Sequence, residues 1–273
     1  MNYKKSYVDQ NGYTPICEMG KSSLKNLSFG MLELGPNQSY IFQTNNEEVG
    51  FIVLSGKARF IANGTDYGMV GARRNVFESP RAEAFYAPRH TAVDIQSPWN
   101  VKVAVCGSPC EADSQPQVIR QADVRVARLG VKPWERDTSF ILDETTNARK
   151  LTVGEAYVTP GNWAGFPPHK HDVDQMPQEG VLEEIYYFLF DPEQGFAIQC
   201  LYTSDGTIDE AYRVQNNDLV EFPKGYHTTV GAPGYNTYFL WMMAGEHQGF
   251  YRSSDPAHAW VGAVENLLKK GQA

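Results

Sequence analysis

Hydrophobic and polar positions alternate in short runs over most of the chain. Between Leu27 and Val105 the runs SFGMLEL, SYIFQT, EVGFIVLSG, KARFIANG, NVFES, EAFYAP, AVDIQ and VKVAV follow one another, each rich in Val, Ile, Phe or Tyr. Turn residues such as Gly35-Pro36, Asn63-Gly64 and Ser97-Pro98 separate them, so the pattern predicts antiparallel strands joined by hairpins and loops. Residues 107–125 lose the alternation and gain Pro, Ser, Gln and Asp, as a connector does. Strand signals resume in SFILD, KLTVGEAYVTPG, EEIYYFLF, GFAIQCLYT, AYRVQ, DLVEFP, TTVGAPG and NTYFLWMMAG. At the end, DPAHAWVGAVENLLKK sets Asp255 and Pro256 at a helix start. It carries Trp260, Val261, Val264, Leu267 and Leu268 on one face, which predicts an amphipathic helix docked on a sheet. Residues 1–25 read as a polar arm packing on the rest.

The two β-rich stretches repeat one another. Glu48 opens VGFIVLSG as Glu184 opens IYYFLFD, and Tyr86-Ala-Pro-Arg-His90 mirrors the segment from Phe222 to His227 at a nearly equal interval. An all-β chain of two duplicated domains follows, residues 1–120 and 121–273, with one short helix at the C-terminal end.

Composition narrows the partners. The formal net charge is −8 and the longest basic cluster is Lys269-Lys270, so nucleic acid is not expected as a partner. No run approaches the roughly 20 apolar residues of a membrane span, and MNYKKSYVDQ lacks the apolar core of a signal peptide. A cytoplasmic location is expected, with no membrane partner. Cys17, Cys106, Cys110 and Cys200 sit at no zinc-finger spacing and read as reduced thiols.

The chemistry concentrates in PPHKHDVDQMPQEGVLEEIYY, residues 167–187. In extended backbone, side chains two residues apart leave the same face, so His169 and His171 converge while Lys170 points away. One His-x-His among six histidines is weak evidence by itself. It gains weight from Glu184 at the mouth of a strand-like run and from His227, which follows the Pro-x-Gly turn of EFPKGYHTTV. Three imidazoles and a carboxylate make a plausible seat for one divalent cation: zinc, manganese or iron. Strand alternation favours Glu184 over Glu183, because Glu184 shares a face with Tyr186 and Phe188. The first half has no His-x-His, so Glu48 and His90 offer two ligands at most, and that half is expected to bind no metal.

This arrangement resembles the cupin superfamily, small double-stranded β-helix barrels of the jelly-roll type, whose first motif supplies His-x-His and Glu and whose second supplies one more His. The duplication implies a bicupin with its metal in the C-terminal barrel. TPGNWAGFPPHKHD, LEEIYYF, QGFAIQCLYT, FPKGYH, APGY and MAG, followed by DPAHAW, look like the 5-deoxy-glucuronate isomerase family of myo-inositol catabolism over residues 159–260. The first half is similar to that family more loosely, through LSGKA and AVCGSP. Thr228 stands where the family usually has Pro, and HQGFYRSSD replaces a stretch that tends to be more basic and aromatic.

The resemblance implies an aldose–ketose isomerisation of 5-deoxy-D-glucuronate to 5-dehydro-2-deoxy-D-gluconate. His169, His171, Glu184 and His227 would carry the metal, and a small anionic sugar acid would be the substrate. Glu183, Tyr186, Tyr238 and a hydroxide on the cation are candidates for the base. Lys224, Arg252, Gln199, Tyr202 and Lys170 are candidates for binding the sugar acid. Isomerisation of another deoxy uronate, an iron-dependent cupin dioxygenase and a non-catalytic sugar-binding bicupin are the alternatives. Paired barrels often associate through sheet edges, which leaves a homo-oligomer open.

Overall fold

The computed structural model describes residues 2–79 and 81–270. Among them are 22 strands, a short 3-10 turn at Pro256–His258 and one α-helix, Trp260–Lys270. The strands form two sandwiches, each of two antiparallel sheets. Strands from Gly12–Cys17 to Gln117–Ile119 make a 6-stranded and a 4-stranded sheet. Strands from Arg125–Leu129 to Ser253–Ser254, joined by Lys4–Ser6, make a 7-stranded and a 5-stranded sheet. No helix is long and apolar enough to cross a membrane among the described residues.

The first strand crosses from one half to the other. Lys4–Ser6 pairs with Asp218–Phe222 of the second sandwich, and Gln117–Ile119 pairs with Ala84–Ala87 of the first. The first strand therefore lies outside the half that its position in the chain assigns it to. Two ion pairs hold it there, Lys4–Asp218 at 2.7 Å and Lys5–Glu221 at 2.5 Å.

A third core lies between the sandwiches, in addition to one inside each. Strand Leu182–Asp191 shows why its sequence does not alternate: Ile185 and Tyr187 enter the core between the halves, while Leu182, Tyr186, Phe188 and Phe190 enter the second barrel's interior. Both faces are buried, so both carry apolar side chains. Strand Asn236–Gly245 behaves in the same way, with Tyr238, Leu240 and Met242 on the inter-barrel face and Phe239, Trp241 and Met243 inside the barrel.

Two carboxylates fasten the halves to each other. Glu48, fully buried, accepts hydrogen bonds from the N–H groups of Arg149, Lys150 and Leu151 at 2.9, 2.7 and 2.7 Å, and from the Tyr86 hydroxyl at 2.8 Å. Glu183 accepts from the N–H groups of Lys25 and Asn26 at 2.8 and 2.6 Å. Each carboxylate thus holds the loop that leads into the other half's sheet. Glu48 pairs with Ser108 and Val49 with Gly107 opposite Ser28; Glu183 pairs with Ala244 and Glu184 with Met243 opposite Thr152. The counterpart of Glu48 is therefore Glu183, and the counterpart of Glu184 is Val49. This corrects the repeat alignment by one residue, a shift that moves a side chain to the other face of a strand.

His90 is corrected too. Val49 pairs with Ala87 and Glu184 with Phe222, so His90 falls opposite Gly225, not His227. Both are in the left-handed region, at φ 57° and 98°, and His90 is an exposed turn residue. The first-half positions matching His169, Glu184 and His227 carry Gln43, Val49 and Ala92, since Gln43 pairs with Ala92 as His169 pairs with His227.

The C-terminal helix forms where expected, after an Asp255 side chain that accepts from the Ala257 N–H at 2.9 Å. Its docking differs. Val261 is buried, but Trp260, Leu267 and Leu268 face solvent, 66%, 70% and 43% exposed. The helix is held by Val261 and by Glu265, which accepts from the indole N–H of Trp134 at 2.9 Å.

Candidate metal centre

Inside the second barrel, strand Trp163–Lys170 runs beside strand Tyr226–Gly231, with His169 directly opposite His227. The register breaks between Ala164 and His169, and the chain turns there through Gly165 at φ 64°. A Cβ on Gly165 would lie 2.9 Å from the His169 ring, so glycine is required on both counts. Glu184 enters from strand Leu182–Asp191 on the face of Tyr186.

All three imidazoles are oriented by backbone carbonyls. Nδ1 of His169 donates to Gly165 O at 3.2 Å, Nδ1 of His171 to Leu182 O at 2.7 Å, and Nδ1 of His227 to Gly225 O at 3.3 Å. A carbonyl oxygen only accepts, so each Nδ1 carries the proton and each Nε2 is left as a potential ligand. Nε2 of His171 and Nε2 of His227 lie 2.9 and 3.0 Å from the same oxygen of Glu184. Ligand atoms of His169, Glu184 and His227 all fall within 4.8 Å of one another. All four residues are buried, and Nε2 of His227 has no hydrogen-bond partner.

The electrostatics demand positive charge at the centre. Burial would raise the Glu184 carboxyl, but the close approach of His171 and His227 holds it down to about 2. Burial lowers His169 well below the usual imidazole value, with Arg252 and the other two histidines adding to the effect. Burial also opposes charge on His171, yet its hydrogen bond to Glu184 raises it. One ionised carboxylate beside the ligand atoms of His169 and His227, with His171 joined to it at 2.9 Å, fits a borderline divalent cation, which would satisfy the orphaned Nε2 of His227.

The remaining sequence candidates divide sharply. Tyr186 lines the cavity beside His169 and Glu184, and burial pushes its phenol well above its ordinary value, so it stays protonated. Arg252 lines the same cavity. The others do not. Glu183 points to the opposite face, into the loop clasp. Tyr238 lies on the inter-barrel face and donates to Glu155 at 2.8 Å, within a buried network that includes the Arg73–Glu155 ion pair. Lys170 is paired with Asp172 and Glu179 at 2.5 and 2.6 Å. Lys224 is exposed in a separate surface cleft. Gln199 is consumed by Thr228 and Thr229, and the Tyr202 hydroxyl donates to Asp255 at 2.6 Å.

Sequence reasoning missed Arg136 and Thr138, which line the cavity from strand Arg136–Leu142. No motif marks them; only the pairing of that strand with Thr152–Val158 brings them to the site. The cavity is narrow, about 20 Å³, because Phe250 fills its mouth against Phe140 and Trp241. A wider cleft of about 300 Å³ near Asp9 and Lys102 is lined by no converging ligand set.

Comparison with known proteins agrees with this architecture. The KduI/IolB family profile matches residues 2–261. A 5-deoxy-glucuronate isomerase of Bacillus subtilis strain 168 is 35% identical over 261 residues, covering 94% of this chain and 96% of that one. The crystal structure of an IolB-like protein from Salmonella typhimurium LT2 superposes with a TM-score of 0.92 at 30% identity, over 96% of this chain and 100% of that one. An oxalate decarboxylase from Lactobacillus farciminis superposes with a TM-score of 0.68 at 11% identity, over 93% and 88% of the two chains, which shows a common bicupin fold alone.

Proposed function

The chain belongs to the KduI/IolB family, and from that premise we propose that it is a 5-deoxy-glucuronate isomerase acting in myo-inositol catabolism. The reaction moves hydrogen between C2 and C1, turning 5-deoxy-D-glucuronate into 5-dehydro-2-deoxy-D-gluconate. Its obstacle is the weak acidity of the carbon next to the aldehyde. The observation that carries the reading is the convergence of three Nδ1-anchored imidazoles and an ionised Glu184 inside the second barrel.

In this reading His169, His171, Glu184 and His227 hold one divalent cation: zinc, manganese or iron(II). When bound, the cation supplies Lewis-acid stabilisation of the charge that develops on the sugar's C1 and C2 oxygens. Tyr186, held as a neutral phenol, donates a hydrogen bond to one of those oxygens rather than acting as base. Phe250 swings out to admit the sugar, since the closed cavity has room for little more than a water molecule. The half ending near residue 120, with Gln43, Val49 and Ala92 at the ligand positions, binds no metal and serves as the second half's support.

The test is to follow ketose formation from 5-deoxy-D-glucuronate with metal-replete protein, before and after chelation. Turnover that vanishes with the metal and returns on its replacement is expected. Metal-loaded protein that leaves the aldose unchanged would refute the assignment.

A further inference from the structure

Arg136 is 8% exposed and opens a strand whose next inward position, Thr138, is 4% exposed with an unpartnered hydroxyl. Both line the cavity over the metal centre, and Arg252 joins them from the segment after strand Asn236–Gly245. Among the described residues neither guanidinium has a hydrogen-bonded carboxylate. Besides burial, Arg136 feels the like charge of Arg252, while Glu265 and Glu184 act on it from a distance. Glu184 faces the histidines, and Glu265 is occupied by Lys269 at 2.6 Å and by Trp134. Arg252 lies against the Phe250 ring, 4.6 Å from its centroid.

Two arginines side by side in an enclosed site, unpaired, contradict the usual arrangement of buried cations, which are matched by carboxylates. The contrast within this chain is Arg73, more deeply enclosed and paired with Glu155. An anion absent from the protein itself completes the set, and a planar guanidinium pair fits a carboxylate.

We propose that Arg136 and Arg252, with the Thr138 hydroxyl, form the clamp for the substrate's carboxylate, so that the sugar acid enters with its aldehyde end toward His169, His171, Glu184 and His227. The proposal rests on the isomerase reading only for the identity of the acid. Burial and the charge of Arg252 bring Arg136 down to about 10, the direction that a cation waiting for its counter-ion takes. Because Arg252 shares its segment with Phe250, carboxylate capture also draws the side chain at the mouth back over the site.

The experiment compares 5-deoxy-D-glucuronate with its methyl ester, the same chain without the charge, on metal-replete protein. Wild type is expected to favour the acid by at least about 100-fold in kcat/KM, because a site built for a charged group rejects the analogue that lacks it. Arg136→Met and Arg252→Met should each cut that preference to a few-fold, mainly through KM, and Arg136→Lys should recover part of it. Removing an unmatched cation should also raise the ligand-free melting midpoint of Arg136→Met and abolish the further rise that the acid gives wild type. Should Arg136→Met fail to fold, the partly exposed Arg252→Met carries the same comparison. Equal use of acid and ester by wild type, or acid preference retained in both Met variants, overturns the clamp and leaves the isomerase reading standing. If wild type turns over neither compound, calorimetric titration with both decides: tighter binding of the acid, lost in the Met variants, keeps the clamp and removes the isomerase assignment, and equal binding removes both.

Discussion

Glu183 and Glu184 are neighbours in sequence with opposite tasks, and substituting each by alanine separates them. Glu183→Ala leaves the N–H groups of Lys25 and Asn26 without the acceptor they reach at 2.8 and 2.6 Å. Orphaning a buried donor costs about 1–3 kcal/mol, and these two are partly accessible to water, so a loss of about 3 kcal/mol in all is expected. For a chain of this size that corresponds to a fall of about 6–12 °C in the melting midpoint. The folded fraction should keep its metal and its specific activity, because Glu183 touches nothing in the cavity. Glu184→Ala removes one of the four proposed ligands and the neighbour of His171 and His227. Metal affinity should fall by at least about 100-fold, since even the groups that merely orient ligands are worth 10–100-fold. Turnover should fall by about 1000-fold or more, the equivalent of about 4 kcal/mol of transition-state stabilisation. Denaturant unfolding, metal content by elemental analysis and ketose formation measure the three quantities on the same preparations. If Glu183→Ala loses metal at an unchanged midpoint, or Glu184→Ala unfolds with its metal content intact, the assignment of faces along this strand is wrong.

Two other outcomes follow from particular contacts. Tyr238→Phe removes a hydroxyl that donates to Glu155 at 2.8 Å on the inter-barrel face. It should cost about 1.5–3 kcal/mol of stability with kcat/KM unchanged, and a collapse in turnover measured on folded protein would restore its candidacy as base. Burial pulls the Glu221 carboxyl upward, but Lys5 and Ser23 outweigh it and leave the group below its ordinary 4.5. A carboxylate lowered on folding adds stability above its unfolded pKa and loses it as pH falls through the folded one, so the Lys4–Ser6 strand should loosen below about pH 4.5. Hydrogen exchange of residues 2–7 across that range checks this, and a pH dependence that survives Glu221→Gln would refute it.

Much of the fold was legible because its strands announce themselves. Period-2 runs and turn residues located most of the strands, and His169, His171, Glu184 and His227 could be proposed together because i, i+2 geometry and strand parity are local properties. Tyr186 was placed on the face of Glu184 by the same parity. The failures are of another kind. The sequence offers two carboxylates at each repeat, Glu47-Glu48 and Glu183-Glu184, and aligning Glu48 with Glu184 looks natural until hydrogen-bond register sets it against Glu183. His90 resembled a ligand by its interval alone, whereas its backbone shows a turn residue at Gly225's place. Arg136 and Thr138 had no signal at all, because what makes them functional is the strand that lies beside theirs.

The same register explains why one barrel can be stripped of ligands while its acidic residue stays buried. A strand of this sandwich pair has one face toward its own barrel and one toward the other half. In the second half the first face holds Glu184 at the proposed metal centre and the second holds Glu183 for the clasp. In the first half the inward position has become Val49, which only has to pack, but Glu48 still receives three N–H groups and a hydroxyl from structures it cannot release without exposing unpaired donors. The clasp runs in both directions, with Glu48 holding the loop before strand Thr152–Val158 and Glu183 holding the loop before strand Ser28–Leu34. Loss of metal ligands is thus permitted barrel by barrel, whereas loss of either clasp loosens both halves at once. That asymmetry makes the first barrel a structural requirement for the proposed centre in its neighbour.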